Sequence, residues 1–151
     1  MVLRLKGRVQ RFLALPFEEK IVVLQAAVRL AQVRWLIAHE GMTRFRPALA
    51  QTGNDTLSDP TQRVCARKVA RLVLAARQLV PGRCTCLHLA LTTQQLLVNR
   101  GIAASVRIGV RKNDGEFRAH AWVQAGGEVL LGGEECATYC ALPALAAEVS
   151  A

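Results

Sequence analysis

The chain has 151 residues, 52% of them apolar, with 20 Lys and Arg against 11 Asp and Glu, for a formal charge of +9. That length and apolar content fit one domain with a real core. Nucleic-acid binding would favour basic residues interleaved with a cluster of aromatics, and with only two Trp, one Tyr and four Phe no nucleic-acid partner is expected.

No charged start followed by a long apolar run marks a signal peptide. Glu18, Glu19, Lys20, Arg29 and Arg34 interrupt the best candidate for a membrane span, so no stable membrane insertion is expected. The expectation is a cytoplasmic protein whose five cysteines, an odd number, are reduced thiols. The basic excess reads either as a solvated surface or as a field that steers in an acidic peptide or protein.

Residues 1–15 are basic and apolar and fit a short amphipathic segment or a strand. Pro16 opens a helix, and Glu18 and Glu19 place negative charge at its positive end. Ile21, Leu24, Val28, Ala31 and Trp35 recur at helical spacing and predict its core face, with Arg29 and Arg34 towards solvent and Gly41 as the stop. Residues 51–58 form a polar loop. Asp59-Pro60 starts a second long helix, a capping side chain followed by a proline whose missing N–H is harmless there. This helix runs to about Leu79. Arg63, Arg67 and Arg71 share one of its faces, either a solvated stripe or a docking face for an acidic partner.

A third helix begins between Cys84 and Cys86, carries Leu89, Leu96 and Leu97, and ends at Asn99-Arg100-Gly101. The period then changes. Residues 102–110 read as a strand, 112–115 as a turn, 116–124 as a strand, 125–127 as a turn and 128–132 as a third strand. The tail from Cys136 is alanine-rich and fits a helix. The fold class is α+β: an N-terminal helical region over 1–60, then a core over 61–151 in which the third helix packs across an antiparallel sheet. The two parts form one compact unit.

The stretch RCTCLH, 83–88, concentrates the chemistry. Cys84, Cys86, Cys136 and Cys140, with His88, are candidates for a structural zinc site, although Cys84-x-Cys86 is closer than the usual ligand spacing. The second candidate is a nucleophile. A cysteine at a helix start meets the positive end of the dipole and unpaired N–H groups, which favour a thiolate and can hold an oxyanion. It needs a histidine as base and then acid. Of His39, His88 and His120, only His120 lies in a strand, flanked by Ala119, Ala121 and Trp122.

A cysteine opening CLHLALTTQQLLVNRG (86–101), a strand ending in IGV (108–110), then AHAWV (119–123) and a glycine turn before a further strand together resemble the transglutaminase-like, papain-like cysteine protease core. The narrower likeness is to the leader peptidases of lasso-peptide biosynthesis. Residues 81–135 carry it, and the helical stretch 15–36 resembles that family's N-terminal half. The resemblance implies Cys86 as nucleophile and His120 as base, with no metal and no cofactor. It also implies an orienting acid about a dozen residues after HAW. Gly132 stands at that position, so the pattern departs here. Glu134 is taken as the third catalytic residue on the strand parity it would share with His120, with Glu128 as the alternative; each also reads as a solvated loop residue. The implied activity is removal of the leader from a ribosomally made precursor peptide before a macrocyclase closes the core. The chain has no room for a leader-recognition domain, so a separate recognition protein is the expected partner. The alternative is a zinc-stabilised or basic helical binding module without catalysis.

Overall fold

The computed structural model describes residues 12–51, 57, 59–113 and 115–143. Helix α1 (Phe17–Glu40) follows Pro16, with Glu18 and Glu19 in its first turn, and stops at Gly41. A 3-10 turn (Thr43–Phe45) leads into the short α2 (Arg46–Ala50). Helix α3 (Pro60–Ala76) is capped by Asp59, whose carboxylate accepts the Thr61 N–H at 2.8 Å. Helix α4 (Cys86–Val98) begins at the cysteine the sequence singles out. Strands β1 (Ser105–Asn113), β2 (Glu116–Ala125) and β3 (Glu128–Leu131) form an antiparallel meander. A four-residue helix, α5 (Gly133–Cys136), carries the chain back to the two-residue β4 (Cys140–Ala141) on the other edge. The sheet order is β3-β2-β1-β4.

This is the expected α+β arrangement, with α4 packed along β2. Helices α1 and α3 pack on α4 and on each other, so the N-terminal helical region and the sheet share one core. Leu30, Leu72, Leu91, Leu97 and Val123 are among its fully buried side chains. The β2–β3 hairpin turns on Gly126 and Gly127, both at positive φ (58° and 74°), as a two-residue primed turn demands.

The structure reverses the reading of α1. Its buried stripe is Glu19, Val23, Ala26, Leu30 and Val33. Ile21, Leu24, Val28, Ala31 and Trp35, the expected core face, are exposed. Both stripes are apolar at helical spacing, and only the positions of α3 and α4 decide between them. By length and composition alone α1 is also capable of crossing a bilayer, since residues 21–38 carry only Arg29 and Arg34 as charges.

The arginine face of α3 is also not free. Arg63 donates to the Leu57 carbonyl at 2.9 Å, and Arg67 makes a two-pronged pair with Glu128 at 2.7 and 2.9 Å. Arg71 and Lys68 both reach the buried carboxylate of Glu19. These three arginines tie α3 to the loop before it, to β3 and to α1.

The first strand begins at Ser105 rather than 102 and extends to Asn113. The tail holds α5 and β4 rather than one helix starting at Cys136. Residues 1–11, most of the 51–58 loop and residues 144–151 lie outside the described residues.

Candidate functional site

Cys86 is the first residue of α4, where amide N–H groups lack intrahelical partners. It is half-buried, and its side chain packs against the core. The local turn is set by Thr85 and His88. The Thr85 N–H donates to His88 Nδ1 at 2.9 Å. An N–H only donates, so Nδ1 is the unprotonated nitrogen, and the Thr85 hydroxyl lies 2.9 Å from it. His88 therefore takes the place Glu or Gln holds in a capping box. Burial, and then the charge of Arg34, hold its imidazole below the ordinary value. Upstream, the Arg34 guanidinium donates to the Pro81 carbonyl and lies against Gly82, bracing the loop that leads into Cys86.

His120 sits in β2 opposite Gly109 of β1. Alternation along β2 sends Ala121 and Val123 into the shared core. His120 and Trp122 form the other set, with ring centroids 6.2 Å apart, and Tyr139 closes over His120 at 5.3 Å. A Cβ at Gly109 would come within 2.9 Å of the Trp122 ring and of Tyr139. The glycine of the IGV motif is thus the gap into which the tryptophan of HAW fits.

The orienting group is the main chain. His120 Nε2 lies 3.0 Å from the Gly132 carbonyl oxygen. A carbonyl only accepts, so Nε2 carries the proton, and in the neutral ring Nδ1 is left as a base. Gly132 has φ +81°, and a Cβ there would meet His120 Nε2, the Ala121 carbonyl and Trp122 Cβ, all at 3.1 Å. At the position where the resembled family carries an acid, this chain places a carbonyl.

The acidic candidates stand differently. The parity argument for Glu134 fails, because β3 ends at Leu131 and residue 134 lies in α5; the side chain of Glu134 is outside the described residues. Glu128 is held by Arg67, whose hydrogen bond and charge keep its carboxyl below the usual carboxylate range.

Among the described residues Cys86 Sγ makes no hydrogen bond, and the His120 ring bonds to Gly132. The thiol and the imidazole are therefore not hydrogen-bonded to each other. Cys84 is buried in the core. Cys140 is exposed, and Cys136 Sγ lies 3.2 Å from the Gly133 carbonyl. All five cysteines are free thiols. Among the described residues no group of three or more His, Cys, Asp or Glu is gathered as a metal site, so the zinc alternative lacks its cluster.

The sequence reading missed two groups. One is His88 as a cap, which Thr85-x-x-His88 signals by its spacing. The other is the Gly132 carbonyl, for which no side-chain signal exists.

A family model described as the transglutaminase-like superfamily matches residues 24–142. The chain belongs to this superfamily. No curated protein and no solved structure gives a significant match.

Proposed function

We propose that this protein is a cysteine peptidase that removes the leader from a ribosomally made precursor peptide, as the lasso-peptide leader peptidases it resembles do. A separate recognition protein presents the leader, and a macrocyclase receives the freed core. The observation that carries the reading is the His120 ring, tethered at Nε2 so that Nδ1 is left as the base, in a superfamily domain whose central helix starts on a cysteine.

In this reading His120 Nδ1 takes the proton of the Cys86 thiol, and Sγ attacks the carbonyl at the leader–core junction. Amide N–H groups of the first turn of α4 hold the oxyanion. The imidazolium returns its proton to the leaving amine as the peptide bond breaks, which leaves a thioester between Cys86 and the leader. Water, deprotonated by the same nitrogen, hydrolyses it. The Cys86–His120 hydrogen bond forms as substrate binds, as such bonds often tighten only in the complex. Gly132 orients the ring through its carbonyl. Glu134, two residues on, is kept as the candidate acid for the same role, without the strand parity expected of it.

The test is leader removal from the cognate precursor with its recognition protein, followed by mass spectrometry. Cys86→Ala and His120→Ala should each lose about 10³-fold or more in rate while remaining folded. Cys84→Ala should cleave, and Glu134→Gln measures what that carboxylate adds. A folded Cys86→Ala variant that still cleaves would sink the proposal.

A further inference from the structure

The exposed side of α1 carries a regular feature that the peptidase reading does not use. Phe17, Ile21, Leu24, Val28, Ala31 and Trp35 follow one another at steps of four, three, four, three and four. That heptad-like spacing fits a helix-on-helix seam, and the buried stripe of α1, which packs on α3 and α4, repeats with the same steps. The seam runs about 27 Å at 1.5 Å per residue. Phe17 is 77% exposed, Leu24 53%, Val28 58% and Trp35 56%. The core contacts of α1 are made by Val23, Ala26, Leu30 and Val33 on the opposite side, so the seam stays exposed among the described residues.

The flanks say what kind of helix fits. On one side lie Lys20 and Arg34. On the other, past the exposed Glu18 at the start of the helix, a groove of about 640 Å³ between α1 and the end of α4 is lined by Gln25, Val28, Arg29, Gln32 and Arg100, among others, and the groove's charged residues are arginines. A second copy of α1 is a poor occupant. Paired in parallel, Lys20 would face Gln25 and Arg34 would face His39. Paired antiparallel, Lys20 would face Arg34 and Glu18 would face His39, so no carboxylate would meet a Lys or Arg. The formal charge of +9 adds repulsion between copies.

We infer that the Phe17–Trp35 seam docks an amphipathic helix of another protein, apolar along a matching seam and acidic on both flanks. A strip of this size is below a standard stable interface, so the contact is transient and charge-steered. Arg34 borders the seam and also braces the loop before Cys86 through Pro81. A carboxylate docked at this flank therefore meets the residue that holds that loop.

The test uses two fluorescein-labelled 28-residue helical peptides, both with Leu at the a and d positions. One carries Glu at every e and g position, the other Lys. Binding to the full chain is read by anisotropy at low and high salt, so the result does not depend on whether the chain cleaves anything. The acidic peptide should bind at least tenfold more tightly than the basic one and weaken with salt. Leu24→Glu with Val28→Glu should cut that binding at least tenfold without changing the circular dichroism spectrum. Lys20→Glu with Arg29→Glu should shift the preference towards the basic peptide, which keeps the test valid if the first variant misfolds. Equal binding by the Leu24/Val28 variant and the wild type overturns the inference. So does a homodimer in sedimentation velocity that the same substitutions dissolve, or binding to phosphatidylglycerol vesicles that they abolish while neither peptide binds.

Discussion

Helices α1 and α4 are both rich in apolar residues, yet they meet different surroundings. Helix α4 lies against α1, α3 and β2, and it buries Leu89, Ala90, Leu91, Thr92, Thr93, Gln94, Leu96 and Leu97. Helix α1 packs on α3 and α4 from one side, buries a single stripe and leaves a second one in water. The number of neighbouring elements decides how much of a helix is buried. An apolar period shows that a face has been made; the packing partners show whether it is used inside the molecule.

The largest expected effect separates the two stripes of α1. Leu30→Ala should cost about 2–5 kcal/mol in urea unfolding, as a fully buried leucine does. Leu24→Ala, on the exposed stripe, should stay within about 0.5 kcal/mol. Comparable losses would erase the distinction between the stripes.

The buried polar groups of the two helices differ in the same way. In α4, Gln94 Nε2 bridges the carbonyls of Ala48 and Ala104 at 2.8 and 3.1 Å. Gln94→Leu should cost about 1–3 kcal/mol, because those carbonyls lose their donor. In α1, Glu19 is buried but its partners Lys68 and Arg71 are largely solvated. Glu19→Gln should cost about 1 kcal/mol or less, shrinking further with salt. An equal cost for both would show that Glu19 is as sequestered as Gln94.

The smallest effect lies at the start of α4. The folded His88 imidazole is held below its unfolded value of 6.5, so the unfolded chain binds more protons on acidification. The stability it contributes is present above about pH 6.5 and is lost as pH falls below that value through the folded one. Melting temperatures between pH 5 and 8 should show this slope in the wild type and a flatter one in His88→Gln. Parallel curves would remove His88 from the cap.

Much of this architecture is legible in the residues, and the failures have specific causes. Asp59-Pro60 starts α3, Cys86 starts α4, and the glycines at 115 and 126–127 close the two hairpins, because caps and turns are local chemistry. The wrong stripe on α1 arose because both of its faces satisfy the same period. The arginines of α3 read as a free face because their partners lie far off in the chain, Arg67 and Glu128 61 residues apart and Arg71 and Glu19 52. At the site, Cys86 and His120 stand out by residue type, and their fit with the superfamily match rests on that. The surroundings of His120 were not readable, since Trp122 over Gly109 and Tyr139 over the ring depend on strand register and on the crossover from β3 to β4.

The Gly132 carbonyl has one consequence for how such a ring is inherited and probed. A side chain that orients a histidine is lost or restored by a single codon. A main-chain oxygen stays in place when every nearby acid is replaced, and here it depends on the glycine that makes the bend. What keeps it aimed at His120 is the left-handed bend at residue 132, so the information that sets this imidazole is stored as backbone shape. A survey by side-chain replacement would pass over it unless it tested the bend itself.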